Sequence, residues 1–192
     1  MLLAAGRGSR FDPSGRRSKL EQTLDGVPVA ARALQSLSTA CDRVVVVVRD
    51  EEGPLARALR RPETILAVVD GPQGMGYSIA AGARTIRAAF PDALCVLLMP
   101  ADMPGVSPAT VQLVAGSCAD ASGPIVVPTH EGVDGHPVGF PAGLLAELAA
   151  CSGDVGARRL LSTHPVTRIP VADAGVVRDI DRPSDLDRWN LS

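Results

Sequence analysis

The chain has 192 residues, of which 46% are hydrophobic and 21% charged, and its formal net charge at pH 7 is −2. At roughly 150 residues per domain, this length predicts a single domain spanning residues 1–192, and the near-neutral charge excludes the basic surface of a nucleic-acid-binding protein or a polybasic membrane anchor. No secretory leader is recognisable, and the longest apolar runs, 44–48 and 94–99, are far shorter than the roughly 20 residues that span a bilayer, so we expect a cytoplasmic protein.

Short apolar runs alternate with longer amphipathic stretches along the chain. The runs predict strands at Met1–Ala4, Val44–Arg49, Ile65–Val69, Leu94–Met99, Ile125–Pro128 and Val138–Phe140. The amphipathic stretches predict helices at Pro28–Ala40, Gly53–Arg61, Ser78–Phe90, Pro108–Gly116, Gly143–Ala150, Val155–Thr163 and Pro183–Asn190. The consecutive valines at 44–48 are typical of a strand that is buried on both faces. Strands and helices in alternation therefore predict an α/β fold, with a parallel sheet between helical layers.

In such a sheet, ligands bind beyond the carboxyl ends of the strands, so the loops that follow strands are informative. The loop at 3–11 follows a run of only four residues, so either this strand is short or the protein begins upstream of Met1. Gly6 and Gly8 let backbone N–H groups approach an anion or a flat base, although the third glycine of a dinucleotide fingerprint and the P-loop pattern are missing. The basic residues that follow suit a triphosphate, or else form a solvated charged turn: Arg7, Arg10, Arg16, Arg17 and Lys19. Among the 19 basic residues of the chain, Lys19 is the only lysine.

The loop at 70–78 is rich in glycine and leads into a predicted helix. Ser78 fits the N-cap position of that helix. The small residues Ala80, Ala81 and Gly82 on its first turns allow a ligand or another backbone to approach closely. The alternative is that the glycines only provide positive φ angles for the turn.

Two acidic segments suggest a cation site. Asp102 follows a buried strand and lies between two prolines, where a carboxylate is well placed for a hard cation or can simply cap the turn. Asp179 and Asp181 are two residues apart on an extended segment, so their side chains point the same way. One of them can join Asp102 on a metal, or both can serve as capping residues of the last helix.

Two further segments carry polar residues between glycines. His136 stands between Gly135 and Pro137, where it can contact a substrate phosphate or act as an ordinary turn histidine. Asp154 fits the N-cap of the helix that carries Arg158. The N-terminus of that helix, with Arg158, would face an anion.

These segments together resemble a known family. The opening Leu3-Ala4-Ala5-Gly6-x-Gly8-x-Arg10, followed by Lys19, resembles the signature of nucleotidyltransferases that act on sugar phosphates, isoprenoid precursors and molybdopterin. Five further segments resemble one branch of these enzymes, the molybdenum-cofactor cytidylyltransferase-like (molybdopterin nucleotidyltransferase) family. They are Gly74-Met75-Gly76-x-Ser78-x-Ala80-Ala81-Gly82, Ala101-Asp102-Met103-Pro104, Gly135-His136-Pro137-Val138, Gly153-Asp154-x-Gly156-Ala157-Arg158 and Asp179-Ile180-Asp181-x-Pro183.

The resemblance implies a three-layer Rossmann-like nucleotidyltransferase fold with a mostly parallel sheet, and one nucleotidyltransferase domain over residues 1–192. It implies a nucleotide site made by Leu3, Ala4, Ala5, Gly6, Arg7, Gly8, Arg10, Lys19, Gly76, Ser78 and Gly82. It implies Mg²⁺ on Asp102 and Asp179, the latter favoured over Asp181 because it matches the first acid of a D-x-G element in sugar-nucleotide relatives. His136, Asp154 and Arg158 would lie on the acceptor side. The implied catalytic residues are Lys19, Arg10 and Asp102.

The reaction that the resemblance implies is the transfer of CMP from CTP to the terminal phosphate of molybdopterin, with release of pyrophosphate. That phosphate is already an oxyanion, so catalysis needs positioning and charge neutralisation rather than a general base. Ala5 favours CTP, because guanylyltransferase members of the family tend to carry glycine at this place. The alternatives are another nucleotide such as GTP or another phosphate acceptor, an NAD(P)H-dependent oxidoreductase on the same fold, or an idle chaperone that delivers the cofactor. The product would pass to a recipient molybdoenzyme or its chaperone.

Overall fold

The computed structural model describes residues 1–70 and 74–189. Its strands are β1 (Leu2–Leu3), β2 (Thr23–Leu24), β3 (Val27–Pro28), β4 (Val44–Val48), β5 (Thr64–Val68), β6 (Cys95–Pro100), β7 (Ile125–His130), β8 (Val133–Asp134), β9 (Val138–Pro141) and β10 (Val166–Pro170). Its α-helices are α1 (Val29–Ser38), α2 (Pro54–Leu59), α3 (Met75–Ala89), α4 (Pro108–Ser117), α5 (Leu145–Ala149), α6 (Arg158–Thr163) and α7 (Pro183–Trp189). The predicted end of the last helix, Asn190, lies outside the described residues.

Eight strands form one sheet in the order β10-β7-β9-β6-β1-β4-β5, with β8 paired to β7. β1 lies between β6 and β4 and runs parallel to both, so that Leu2 pairs with Val46 on one side and Met99 on the other. The pairs β4–β5 and β10–β7 are also parallel. Among the described strands of this sheet, only β9, between β6 and β7, and the short β8 run antiparallel. The prediction of a mostly parallel sheet is confirmed.

Helices cover both faces of the sheet. The side chains of Val44, Val46 and Val48 pack in one core with α1, α2 and α4, and those of Val45 and Val47 pack in a second core with α3, α5 and α6. All of these valines are at most 2% exposed. Because successive side chains of a strand point to opposite faces, an unbroken valine run fills both cores. Within the described ranges, no helix combines the length and apolar character needed to cross a membrane.

The structure contains strands that the apolar runs do not predict. β2 and β3 pair as an antiparallel hairpin across Asp25 and Gly26, whose φ angles are 48° and 79°. An Asp-Gly pair is a known signal for such a two-residue turn, but strands of two residues are too short to show a hydrophobic pattern. β10 is an edge strand with Thr167 and Arg168 exposed, so it lacks an apolar run altogether.

The third helix begins earlier than predicted. α3 starts at Met75, with Gly74 as its N-cap, so Ser78 lies inside the helix and is buried instead of capping it. The N–H of Gly76 donates to the carbonyl oxygen of Gly153 at 2.8 Å. This bond docks an extra turn of helix onto the loop at 152–157, a contact that local sequence does not reveal.

The helix that carries Arg158 begins later than predicted. α6 starts at Arg158 with Ala157 as its N-cap, and no side chain caps it, so the assignment of Asp154 as the capping residue is wrong. Gly153 and Gly156 have φ angles of 63° and 59°. These left-handed conformations are incompatible with an α-helix, and they delay its start.

Candidate functional site

A cavity of about 470 Å³ opens at the carboxyl edge of the sheet, beyond β1, β4 and β6. Its wall includes many of the predicted site residues: Leu3, Ala5, Gly6, Arg7, Arg10, Lys19, Ser78, Asp102 and Asp154. It also includes residues that were not predicted: Leu20, Arg49, Gly74, Met75 and Pro100. The remaining predicted residues lie outside this wall: Ala4, Gly8, Gly76, Gly82, His136, Arg158 and Asp179. This edge is where parallel sheets bind their ligands.

The turn after β1 presents mainly its backbone to the cavity. Ala4 and Ala5 are only 3% and 4% exposed, and their methyl groups pack in the two cores. Arg49 donates from Nε to the carbonyl oxygen of Ala5 at 2.8 Å, which ties the turn to the end of β4. Gly8 has a φ of 63°, and a Cβ atom at this position would lie 3.4 Å from Cγ of Lys19. The positive φ favours glycine at position 8, where a Cβ atom would only touch the lysine side chain.

Two predicted nucleotide-binding glycines of α3 allow close packing. A Cβ atom on Gly82 would lie 2.9 Å from Cγ2 of Val47, and one on Gly76 would lie 2.7 Å from the backbone nitrogen of Ser152. These glycines bring α3 against β4 and against the loop at 152–157. Contact between either glycine and a nucleotide stays a prediction.

Lys19 links three segments that are far apart in sequence. Its side chain is only 10% exposed, and Nζ lies 2.6 Å from Oδ2 of Asp102 and 2.9 Å from Oδ1 of Asp181. Arg10 donates from Nη1 to the other carboxylate oxygen of Asp181 at 2.6 Å. The loop after β1, the loop after β6 and the segment before α7 therefore converge on one network of charges.

The charges of this network shift the pKa values of its members. Burial lowers the pKa of Lys19, but the carboxylates of Asp102 and Asp181 outweigh burial and raise it overall. The hydrogen bond from Lys19, helped by that from Arg10, lowers the pKa of Asp181. Burial, together with the charges of Asp181 and Asp102, raises the pKa of Asp179. At neutral pH Lys19 is therefore a cation that compensates the charge of two carboxylates.

Three carboxylates form a cluster beside Lys19. Asp102, Asp179 and Asp181 each offer an oxygen, and these oxygens lie within 4.8 Å of one another. Oδ1 of Asp102 is buried and has no hydrogen-bond partner among the residues that the structure describes. The N–H of Ile180 donates to the carbonyl oxygen of Asp102 at 2.9 Å. This bond holds the acidic segment, residues 179–181, beside Asp102. Oxygen donors in this arrangement fit a divalent cation, and the preference for Asp179 over Asp181 as its second ligand stays a prediction.

The predicted acceptor-side residues do not share one location. Asp154 lines the cavity, whereas Arg158 is exposed at the start of α6. His136 is half-buried, with Nδ1 at 3.4 Å from the carbonyl oxygen of Leu98. Burial lowers the pKa of His136, so the imidazole favours its neutral form. Of the three residues, the structure brings only Asp154 to the cavity wall.

Arg49 is the cavity residue with the clearest chemistry that the sequence reasoning missed. The prediction placed it inside the strand Val44–Arg49, but β4 ends at Val48 and Arg49 is the first residue beyond it. Residues directly after parallel strands are the ones expected at a ligand site. A strand boundary one residue earlier would have brought Arg49 into the predicted site.

The sequence matches a known domain family over most of its length. The model of the MobA-like NTP transferase domain matches residues 1–168. Among curated proteins, the bifunctional protein GlmU of Kineococcus radiotolerans is 30% identical over 132 residues, which are 67% of this chain and 26% of that protein. The chain spans about a quarter of the length of the curated relatives it matches.

Solved structures show the same fold. Rv0371c from Mycobacterium tuberculosis H37Rv superposes with a TM-score of 0.84 and 26% identity over 100% of this chain and 96% of its own, and a manganese complex of Rv0371c superposes with a TM-score of 0.76 and 24% identity over the same shares. Molybdopterin-guanine dinucleotide biosynthesis protein A from Archaeoglobus fulgidus superposes with a TM-score of 0.69 and 20% identity over 99% of this chain and 95% of its own. These likenesses confirm the expected three-layer Rossmann-like nucleotidyltransferase fold.

Proposed function

The chain belongs to the MobA-like NTP transferase domain family, and from this premise we propose that it transfers CMP from CTP to the terminal phosphate of a molybdopterin-type acceptor, as one cytoplasmic domain that releases pyrophosphate. The convergence of the Lys19 ammonium and the Arg10 guanidinium with Asp102, beside the turn at 4–8, carries this proposal. Cations at such a turn suit a triphosphate, and neighbouring carboxylates suit the divalent cation that accompanies it.

The proposed reaction is an in-line displacement at the α-phosphorus of CTP. An oxygen of the acceptor phosphate forms the new bond to phosphorus, and the bond from phosphorus to the oxygen that bridges to the β-phosphate breaks. Pyrophosphate leaves with the electron pair, so no proton has to be removed from the nucleophile. Lys19 and Arg10, with Arg7 on the cavity wall, neutralise the charge that builds up on the phosphates.

The carboxylate cluster fits the divalent cation that this reaction class uses. Asp102 and Asp179 are the proposed ligands of Mg²⁺, and the unpartnered buried oxygen of Asp102 supports the choice of that residue. A bound divalent cation supplies charge neutralisation and orients the triphosphate. The manganese in the Rv0371c complex supports divalent-cation binding in a protein of this fold.

The nucleotide and the acceptor are assigned to different residues of the cavity wall. The turn that contains Ala4, Ala5 and Gly6 would hold the ribose and base, with alanine rather than glycine at position 5 favouring CTP. Asp154 is the proposed acceptor contact at the cavity wall, and His136 and Arg158, which lie outside that wall, stay proposed acceptor-side residues. The molybdopterin-guanine dinucleotide protein among the structural neighbours supports an acceptor of molybdopterin type. The product would then pass to a molybdoenzyme or its chaperone.

A pyrophosphate-release assay tests this function. The protein is incubated with molybdopterin, Mg²⁺ and one of CTP, GTP, UTP or ATP, and we expect the fastest release with CTP. Asp102→Asn should abolish release, whereas Asp92→Asn, an exposed aspartate outside the cavity wall, should leave it unchanged.

Three results would redirect or overturn the proposal. Faster release with GTP would reassign the protein as a guanylyltransferase on the same acceptor. Absence of pyrophosphate with every nucleotide would overturn nucleotidyl transfer. Oxidation of NADPH in a parallel assay, without pyrophosphate release, would support the oxidoreductase alternative instead.

A further inference from the structure

Arg49 is a cation of the cavity wall to which the proposed reaction gives no role. It is half-buried at the carboxyl end of β4, and its Nε is held by the carbonyl oxygen of Ala5 at 2.8 Å. Its two Nη groups have no hydrogen-bond partner among the described residues, and it forms no ion pair with them. The guanidinium is therefore anchored at one nitrogen and retains its remaining donors.

The strand order gives the cavity two chemically different sides. β1 lies between β6 and β4, so Asp102, which follows β6, and Arg49, which follows β4, lie on opposite sides of the nucleotide-binding turn. Lys19 and the carboxylate cluster are on the β6 side. Ser78 belongs to α3, which packs on β4 and β5, and it lines the cavity on the Arg49 side.

This polarity separates the ends of a bound nucleotide. If the triphosphate lies with Lys19 and the carboxylate cluster, the nucleobase extends across the turn at 4–8 toward Arg49 and Ser78. The acidic cluster lies on the other side, and among the described residues Asp154, the remaining carboxylate of the wall, forms no ion pair with Arg49. A base that offers hydrogen-bond acceptors would satisfy its donors.

We propose that Arg49 is a specificity-determining residue that selects a nucleobase with two adjacent hydrogen-bond acceptors; this inference rests on the nucleotidyl transfer proposed above. A guanidinium carries paired donors in a fixed planar fork, which recognises two neighbouring acceptors at once. Cytosine offers such a pair at O2 and N3, and guanine offers one at O6 and N7. In uracil N3 carries a hydrogen, and in adenine the group beside N7 is an amino donor.

The bond to Ala5 gives this selection its rigidity. It fixes the guanidinium relative to the turn that carries the base, so that few rotatable bonds remain to be ordered when the nucleotide binds. Lysine at this position keeps the positive charge but not the paired, planar donors. The two substitutions Arg49→Lys and Arg49→Gln therefore separate the effect of charge from the effect of geometry.

Nucleotide binding without an acceptor tests the proposal. Dissociation constants for CTP, UTP, GTP and ATP, each with Mn²⁺, are measured by calorimetry on the wild-type protein and on Arg49→Lys and Arg49→Gln. The ratios of CTP to UTP and of GTP to ATP are compared. If CTP and UTP are the pair that binds more tightly, we expect the wild type to prefer CTP over UTP about tenfold. If GTP and ATP are that pair, we expect it to prefer GTP over ATP about tenfold. Both variants should lose this preference to within about twofold.

The matched control is Arg43→Gln, at the opposite end of the same strand, whose side chain is exposed and donates to the carbonyl oxygen of Pro62. It should keep the wild-type ratios. Circular dichroism of each variant checks that it folds. An equal loss of affinity for all four nucleotides in both Arg49 variants would assign Arg49 to the phosphates and overturn the proposal, as would a wild type without preference. Failure of the wild type to bind any of the four would overturn the proposed function itself.

Discussion

Nζ of Lys19 lies 2.6 Å from Oδ2 of Asp102, so the only lysine of the chain neutralises the carboxylate that we propose as a metal ligand. The same ammonium reaches Asp181, whose other oxygen is held by Arg10. Binding of a metal and a triphosphate at this place requires an exchange of partners, in which the cations move to the phosphates and the carboxylates to the metal. Metal and nucleotide should therefore each strengthen the binding of the other.

The first prediction concerns metal binding without nucleotide. Lys19→Met removes the positive charge that competes with the metal, so we expect it to tighten Mn²⁺ binding to the nucleotide-free protein about tenfold or more. Calorimetric titration with Mn²⁺ measures this. Arg17→Met is the control, because Arg17 lies over the ring of Phe11 and contacts neither carboxylate. Weaker Mn²⁺ binding in Lys19→Met would show that the lysine supports the metal site instead of competing with it.

The second prediction separates lysine from arginine at position 19. Lys19→Arg keeps the charge, so we expect the folded state to persist, but the larger planar guanidinium cannot take the place of a compact ammonium that touches two carboxylates. Pyrophosphate release should fall by about a factor of 100 or more, while the thermal unfolding midpoint changes little. Turnover near that of the wild type would mean that any cation at this place suffices.

The third prediction concerns the anchor of the acidic segment. Asp173 accepts hydrogen bonds from the N–H of Ser107, the hydroxyl of Thr110 and the N–H of Gly175. Burial raises the pKa of Asp173, but these hydrogen bonds outweigh burial and leave the pKa below its ordinary value of 3.8. A lowered carboxyl pKa stabilises the folded state at pH values above the ordinary pKa, and this stabilisation is lost as the pH falls through the lowered pKa.

We therefore expect Asp173→Asn to lower the free energy of unfolding by about 1–2 kcal/mol at pH 7, because an amide nitrogen would face a donor. At about pH 2.5, below the ordinary carboxyl pKa of 3.8, the difference from the wild type should be smaller, because the wild-type carboxyl gains its proton as the pH falls through the lowered pKa. Urea unfolding at both pH values measures this. Asp187→Asn, an exposed aspartate of α7, serves as the control and should change neither value. A loss that is equal at both pH values would show that the charge of Asp173 is not involved.

The fourth prediction compares two helical glycines. Gly76→Ala in α3 would drive a methyl group against the backbone of Ser152, so we expect lower stability and weaker nucleotide binding through the displaced loop at 152–157. The methyl group of Gly116→Ala in α4 would meet no atom of the described residues within 4 Å, so this variant should be more stable by about 0.5–1 kcal/mol. Thermal unfolding of both variants measures the change in stability, and CTP titration of both measures the change in nucleotide binding. Unchanged CTP binding in Gly76→Ala would separate the loop from the nucleotide site.

Sequence reasoning succeeded where one physical rule acts locally. The valine run at 44–48 identifies a buried parallel strand because each side chain must face one of two cores. The rule that ligands bind beyond the carboxyl ends of the strands predicts a site at the turn at 4–8 and at Asp102, and both border the cavity.

Features that depend on distant contacts could not be predicted in the same way. The early start of α3 needs the bond between Gly76 and Gly153, and the pairing of Lys19 with both Asp102 and Asp181 depends on how three loops meet. The edge strand β10 has little apolar character in its sequence, and its pairing with β7 is what makes it a strand. Arg49 was missed for a smaller reason, a strand boundary placed one residue too late.

The hydrogen bond from Ile180 to Asp102 also has a consequence for the order in which the protein becomes competent. Ribosomal synthesis delivers Lys19 and Asp102 well before the segment that carries Asp179 and Asp181, and that segment follows the residues 1–168 matched by the family. Before that segment is made, Lys19 has only one of its two carboxylate partners, and the proposed cation site is incomplete. A chain that ends at residue 168 therefore lacks two of the three carboxylates of the cluster, whichever strands have already paired.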